Sequence, residues 1–339
     1  MTDASQIVLA ARPKGMPKPT DFHIETIAMP QPRHGEALVR VIYLSIDPYM
    51  RGRISGMKSY TKGVDPGEVM VGGCVGRVVA SQAPGLATGD FVEGALGWRS
   101  HAVAPGHALR KLDPRDAPIS TAVGVLGMPG MTAYFALLDV GQPRAGDTVV
   151  ISAASGAVGQ VVGQIARIAG CRVVGIAGGK AKCDFVRELG FDAAVDYKAS
   201  KDLAADLGAA CPNGVDVYFD NVGGDVQDAV MALINLKARI IICGTISNYN
   251  RLDQPDPGPR HSRRLLANRA RMEGFLVFDY LHRYPEGRAR VGAWIKQGRI
   301  KYREDIIEGL ERAPEALVRV LEGGNFGKQL VRVSPDPTR

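Results

Sequence analysis

The residues best suited to chemistry in this 339-residue chain stand in one short stretch, AASGAVG (153–159). It lies between the apolar run Thr148–Ala153 and an apolar repeat at helical spacing, Val158–Gly170. Two glycines and three alanines between a strand and a helix let something charged approach the backbone. In a G-x-G-x-x-G turn the first glycine permits the bend, the second admits a pyrophosphate, and the third packs helix on strand. Here Ala154 takes the first place, while Gly156 and Gly159 keep the other two. Ala154, Ser155, Gly156, Ala157 and Val158 are the candidate phosphate-binding residues, since the N–H groups at a helix start face an anion.

The end of the next strand discriminates between dinucleotides. A ribose 2′-hydroxyl is held by an Asp or Glu about 20 residues on. No acid lies between Val173 and Lys182, where the chain reads VVGIAGGKAK. A carboxylate would repel a 2′-phosphate, whereas Gly178 and Gly179 leave room and Lys180 or Lys182 supplies charge. The expected cofactor is therefore NADP(H).

Metal chemistry has no visible ligand set. The six histidines form no HxxxH pair, and none stands beside a cysteine and an acid at ligand spacing. No metal site is expected. Hydride chemistry then belongs to the cofactor, and the protein orients the substrate and stabilises developing charge. If the substrate is a double bond conjugated to a carbonyl, an enolate oxygen develops, and a neutral hydroxyl suffices to bind it. Tyr249 follows an apolar strand, at the strand end where α/β sheets place ligands. Tyr49, in IDPYMRGR, is the second catalytic candidate and Tyr60 a weaker third.

The elements that must position these groups fall into two patterns. Residues 1–122 are short alternating strands separated by Gly and Pro turns (QIVLAAR, FHIETIAM, EALVRVIYLSI, VGGCVGRVVAS, DFVEGALG, WRSHAVAP), which predicts an antiparallel, barrel-like domain. From residue 123 to about 299 strands alternate with helices, which predicts a doubly wound parallel sheet. In that region AKCDFVRELG and DVQDAVMALI read as helices, with CRVVGIAG, DAAVDY, VDVYFDNVGG and ARIIICGTIS as strands. Residues 245–261 read as a long loop without structure of its own. After residue 300 a helix, a Gly-Gly-Asn turn and a strand are expected, and this piece (300–339) would complete the first domain.

Bulk properties exclude several classes. With 45% hydrophobic and 23% charged residues the chain matches ordinary globular proteins. No apolar run approaches the ~18 residues of a membrane helix, and no signal peptide is evident. A cytoplasmic protein is expected. Five scattered cysteines make neither a disulfide framework nor a CxxC pair. The net charge of +7 is concentrated in residues 251–339, with 18 Lys and Arg against 12 Asp and Glu. It is not interleaved with aromatics, so no nucleic-acid partner is expected.

Several motifs together resemble the zinc-free medium-chain dehydrogenase/reductases, in the branch of leukotriene hydroxydehydrogenase/prostaglandin reductase and alkenal double-bond reductase. They are IDPYMRGR, GMPGMTAYF, AASGAVG, LGFDAAVDYK, YFDNVGG, ICGTISNYN and GNFGKQLV, in family order over nearly the whole chain. The resemblance implies a GroES-like β-barrel catalytic domain, a Rossmann domain, and an active site in the cleft. It implies NADPH-dependent reduction of α,β-unsaturated aldehydes or ketones, with quinone reduction as the alternative activity, and a homodimer. By position, Lys182 and Tyr197 would meet the 2′-phosphate. Asn221, Cys243 and Asn325 would line the dinucleotide, with Met128 and Thr132 near the nicotinamide. Tyr249 would face cofactor and substrate. Gly179 and Lys180 depart from the polar residues common there in relatives.

Overall fold

The computed structural model describes residues 3–339. The chain divides into two compact units. One holds the residues up to Gly124 together with Glu304–Arg339, the other Val125–Arg303.

The first unit contains β1 (Ala4–Leu9), β2 (Phe22–Ile27), β3 (Glu36–Ser45), the short helix α1 (Tyr49–Arg53), β4 (Cys74–Ser81), β5 (Phe91–Gly94), β6 (His101–Pro105) and β7 (Arg110–Leu112). The second unit contains α2 (Met128–Phe135), β8 (Thr148–Ile151), α3 (Gly159–Ile168), β9 (Arg172–Ala177), α4 (Lys180–Glu188), β10 (Ala193–Asp196), α5 (Leu203–Ala210), β11 (Val215–Asp220), α6 (Gly224–Met231), β12 (Ile234–Ile242), α7 (Ser262–Asn268), β13 (Arg271–Gly274) and α8 (Tyr284–Lys296). Then β14 (Glu304–Glu308), α9 (Ala313–Leu321) and β15 (Lys328–Arg332) return to the first unit.

In the first unit a seven-stranded sheet is ordered β14-β15-β3-β4-β5-β7, with β6 also on β3. All its pairings are antiparallel except β14 with β15. Strand β3 is the centre because its ten residues alternate little and are buried along almost their whole length. The core beneath it includes Leu44, Ile46, Met50, Trp98 and Leu317.

In the second unit six parallel strands are ordered β10-β9-β8-β11-β12-β13. Strand β8 (TVVI) is buried at every position, as a strand covered on both faces must be. Two apolar clusters flank the sheet, one built around Val149, Ile151 and Val173, the other around Val150, Val174 and Ile240. The α/β architecture thus matches the expected doubly wound sheet beside an antiparallel-rich one.

Some boundaries differ from the sequence reading. Strand β12 starts at Ile234, inside the stretch read as the end of a helix, because Ile234 pairs with Val215. The long loop holds a 3-10 segment, Ile246–Arg251. Strand β14 was not anticipated.

Candidate functional site

The order of strands in the second unit reverses between β8 and β11, and at such a point the loops leaving the carboxyl ends of the two strands diverge and open a crevice. Into this crevice the structure brings the AASGAVG loop and the loop after β11. Asn221 ties them together: its N–H donates to the Ser152 hydroxyl at 2.8 Å, and its side-chain amide to the Ser152 carbonyl at 2.8 Å.

The glycines of the loop act as steric requirements. A Cβ on Gly159 would lie 2.4 Å from the Ala153 carbonyl oxygen and 2.8 Å from the Ala154 Cα, so the helix start is pressed onto the strand end. Ala153 turns the chain in the left-handed region (φ 49°). Ala154 is fully buried, and its methyl group needs space on β9: a Cβ on Gly175 would meet it at 2.8 Å. The glycine missing at 154 is therefore offset by a glycine on the neighbouring strand. No side chain caps α3, and the N–H groups of Gln160 (to the Gly156 carbonyl, 3.1 Å) and of Val161 and Val162 (both to the Val158 carbonyl, 3.0 Å) fold the loop directly into the helix.

Asp220 organises the opposite side. It is fully buried at the end of β11. Its Oδ1 accepts from the Tyr218 hydroxyl (2.8 Å), the Ser152 hydroxyl (3.0 Å) and the N–H groups of Val222 (2.9 Å) and Gly223 (3.0 Å). Its Oδ2 accepts from the Gln227 amide (2.9 Å), and its carbonyl from the N–H groups of Cys243 (2.8 Å) and Gly244 (3.1 Å). One residue thus joins the turns after β8, β11 and β12, the first two through its carboxylate and the third through its carbonyl. Burial and the adjacent Asp220 push the Tyr218 phenol well above its ordinary pKa.

Tyr249 sits half-buried in the 3-10 segment, which the Ser247 N–H and hydroxyl anchor to the Val222 carbonyl at 3.1 and 2.6 Å. A Cβ on Gly244 would stand 3.4 Å from the Tyr249 hydroxyl, so the two are van der Waals neighbours after β12. The Cys243 thiol is pushed up to about 12, chiefly by burial, and stays neutral.

At the ends of β9 and β10 the structure gathers Gly178, Gly179 and Tyr197. A Cβ on Gly178 would meet Tyr197 Cε1 at 2.8 Å and Lys198 Cε at 3.0 Å. Gly179 adopts φ 91° with open space where a side chain would be. Lys182 lies in the first turn of α4 and is half-buried. Met128 opens α2, and Thr132, one turn on, spends its hydroxyl on the Met128 carbonyl at 2.8 Å.

Tyr49 and Asn325 belong to the first unit. Tyr49 is the first residue of α1, and burial first, then Asp47, raises its phenol above the ordinary pKa. The Asn325 amide donates to the Gly327 carbonyl at 2.8 Å. A buried ion pair links the segments bearing these two residues: Lys328 Nζ donates to Asp47 Oδ1 at 2.9 Å and to the Ile46 carbonyl at 2.7 Å. Tyr60 is exposed.

Residues 5–112 match a family described as the N-terminal domain of oxidoreductase, and residues 157–291 one described as zinc-binding dehydrogenase. An NADPH-dependent curcumin reductase of Escherichia coli (strain K12) is 48% identical over 97% of this chain and 96% of its own. A 2-alkenal reductase (NADP(+)-dependent) of Nicotiana tabacum is 45% identical over 97% of each chain. The crystal structure of CurA in complex with NADPH from Vibrio vulnificus superposes with a TM-score of 0.93 at 48% identity, over 98% of this chain and 100% of that one.

The chain belongs to the prostaglandin reductase/alkenal reductase branch of the medium-chain dehydrogenase/reductases. Although one matched family is described as zinc-binding, no group of three or more His, Cys, Asp or Glu among the described residues is arranged to hold a metal ion in this medium-chain reductase. The residues fit a phosphorylated dinucleotide: small residues in the turn after β8, no side chain capping α3, and no Asp or Glu in the chain that ends β9.

Sequence reasoning missed Asp220, which organises the turns at this site of the medium-chain reductase, and, in the first unit, the Asp47–Lys328 pair. For Asp220 the signal was present, an acid ending the apolar run VDVYF. The ion pair carries no local signal, because its two residues lie far apart in sequence.

Proposed function

We propose that the protein is an NADPH-dependent reductase of the carbon–carbon double bond of α,β-unsaturated aldehydes and ketones. The observation that carries this reading is Tyr249, half-buried in the 3-10 segment after β12, which Ser247 ties to the turn after β11. The activities named for the curcumin reductase and the 2-alkenal reductase, both close in sequence, support it. Ala154–Val158 hold the dinucleotide phosphates, Asn221 lines the dinucleotide, and Gly178, Gly179, Lys182 and Tyr197 hold the adenosine phosphate. Met128, Thr132, Cys243 and Asn325 line the remainder of the cofactor.

Bound NADPH supplies the hydride. The chain's own part is to bind the carbonyl oxygen, where negative charge grows as the β-carbon is reduced. The Tyr249 hydroxyl donates to that oxygen, and Tyr49, whose phenol burial keeps protonated, is the second donor. A neutral donor aimed at a developing oxyanion stabilises the transition state more than the ground state. The substrate partner is a small electrophile. The protein works as a homodimer, in a reducing compartment suited to its free thiols and taken to be the cytoplasm.

The test is NADPH oxidation with a simple alkenal, an alkenone and a quinone, with products identified by mass. A saturated carbonyl is expected, and an unsaturated alcohol overturns the reading. Tyr249→Phe is expected to lower kcat about 100-fold, as loss of an oxyanion donor does, with the Kd for NADPH little changed.

A further inference from the structure

Where a 2′-hydroxyl-binding acid would end β9, the chain has two glycines, and the carboxylate nearest in space comes from the next strand. Asp196 closes β10 directly beside Ala177 in the parallel register. Its Oδ1 accepts the N–H of Gly179 at 2.8 Å and the N–H of Lys198 at 3.0 Å, and its carbonyl accepts the N–H groups of Ala199 (3.2 Å) and Ser200 (3.0 Å). The N–H groups that reach the carboxyl, that of Gly179 foremost, hold it below the usual range. Oδ1 is thus committed to two backbone N–H groups, and it clamps the turn after β9 to the turn after β10.

The clamp has a consequence for the side chain that follows. The Lys198 stem is laid along the β9 turn, with Cε 3.0 Å and Cδ 3.2 Å from where a Gly178 Cβ would stand, next to the Tyr197 ring at 2.8 Å. Beside them Gly179 keeps an open position that its left-handed φ reserves for glycine. Two other nearby cations are committed elsewhere, and Lys182 is the one the reading above already gives to the phosphate. Lys180 is exposed and paired with Asp184, and Arg187 binds Asp184 and the Ala194 carbonyl.

We propose that Lys198 supplies a cation to the adenosine 2′-phosphate of NADP(H) and that Asp196 is the positioning residue that holds it there. This rests on the NADP(H) reading above and adds to it the residues that set phosphate discrimination. A lysine whose aliphatic stem is already packed against the turn loses less freedom on binding an anion than one extended into solvent.

The experiment is calorimetric titration of the full chain with 2′,5′-ADP and with 5′-AMP, so that binding is read without turnover. Wild type is expected to prefer 2′,5′-ADP. Lys198→Met should weaken 2′,5′-ADP about tenfold and leave 5′-AMP unchanged, while Lys198→Arg keeps the preference. Asp196→Ala should reduce the same ratio, and Asp196→Asn, which keeps an oxygen acceptor, should restore much of it. Unchanged 5′-AMP binding shows that each variant is folded. An unaltered ratio in Lys198→Met overturns the inference. A wild type without any preference overturns the NADP(H) reading as well, whereas preference without reduction of any enone overturns only the reductase.

Discussion

Glu304 shows how a single residue can be held against its own interest. One of its oxygens accepts from the Ser120 hydroxyl at 2.9 Å and from Arg339 at 3.2 Å, but the other is buried with no partner among the described residues. Burial outweighs these contacts and raises its pKa. A raised folded-state pKa favours the protonated form, so the contribution to stability is present below the unfolded pKa and lost as pH rises through the folded one. Glu304→Gln is therefore expected to raise Tm at pH 7–8, with the gain shrinking toward pH 4. A lower Tm at neutral pH would show that the Arg339 contact dominates instead. Residues of this kind are illegible in sequence, since Glu304 sits in KYREDIIEGL like any surface acid. Gly156 and Gly159 were legible because strand, loop and helix are contiguous and the steric demand is local. Lys198 was not, because what gives it meaning is Gly178, twenty residues earlier.

At the scale of elements, the start of α2 depends on one missing methyl group. A Cβ on Gly130 would lie 1.7 Å from the Val125 carbonyl oxygen, so the chain reverses over this residue at van der Waals contact. Gly130→Ala is expected to destabilise the second unit by about 3 kcal/mol, since backbone rather than a flexible side chain must move. Chemical denaturation followed by the Trp294 signal checks this, and a change below about 0.5 kcal/mol would contradict it. The elements that sequence reading placed well were buried parallel strands and helices with an apolar face. It misplaced the start of β12 because apolar periodicity alone does not separate MALI as helix end from strand start. It missed β14 because an edge strand carries charged residues, here Glu304, Asp305 and Glu308, and has little apolar pattern.

For the whole molecule, the exposed flank of the parallel sheet is where the proposed homodimer would form. Strand β13 (Arg271–Gly274) pairs only with β12 among the described residues, and Arg271, Glu273 and Gly274 are exposed. An unpaired edge is a template for a second copy. Light scattering should give twice the chain mass, and Met272→Pro should shift it toward one, with 2′,5′-ADP binding kept. A wild-type monomer would refute the dimer. By itself the sequence determined the α/β class, the dinucleotide loop, the lack of an acid after β9 and the tyrosine at the strand end. Each of these depends on a contiguous run whose periodicity or steric demand is local. Only the tertiary structure decided that residues 304–339 build strands beside β3, that Lys328 pairs with Asp47 nearly 300 residues away, and that Asp220 joins three turns. Those pairings are set by burial and hydrogen-bond geometry between distant segments, and no local pattern encodes them.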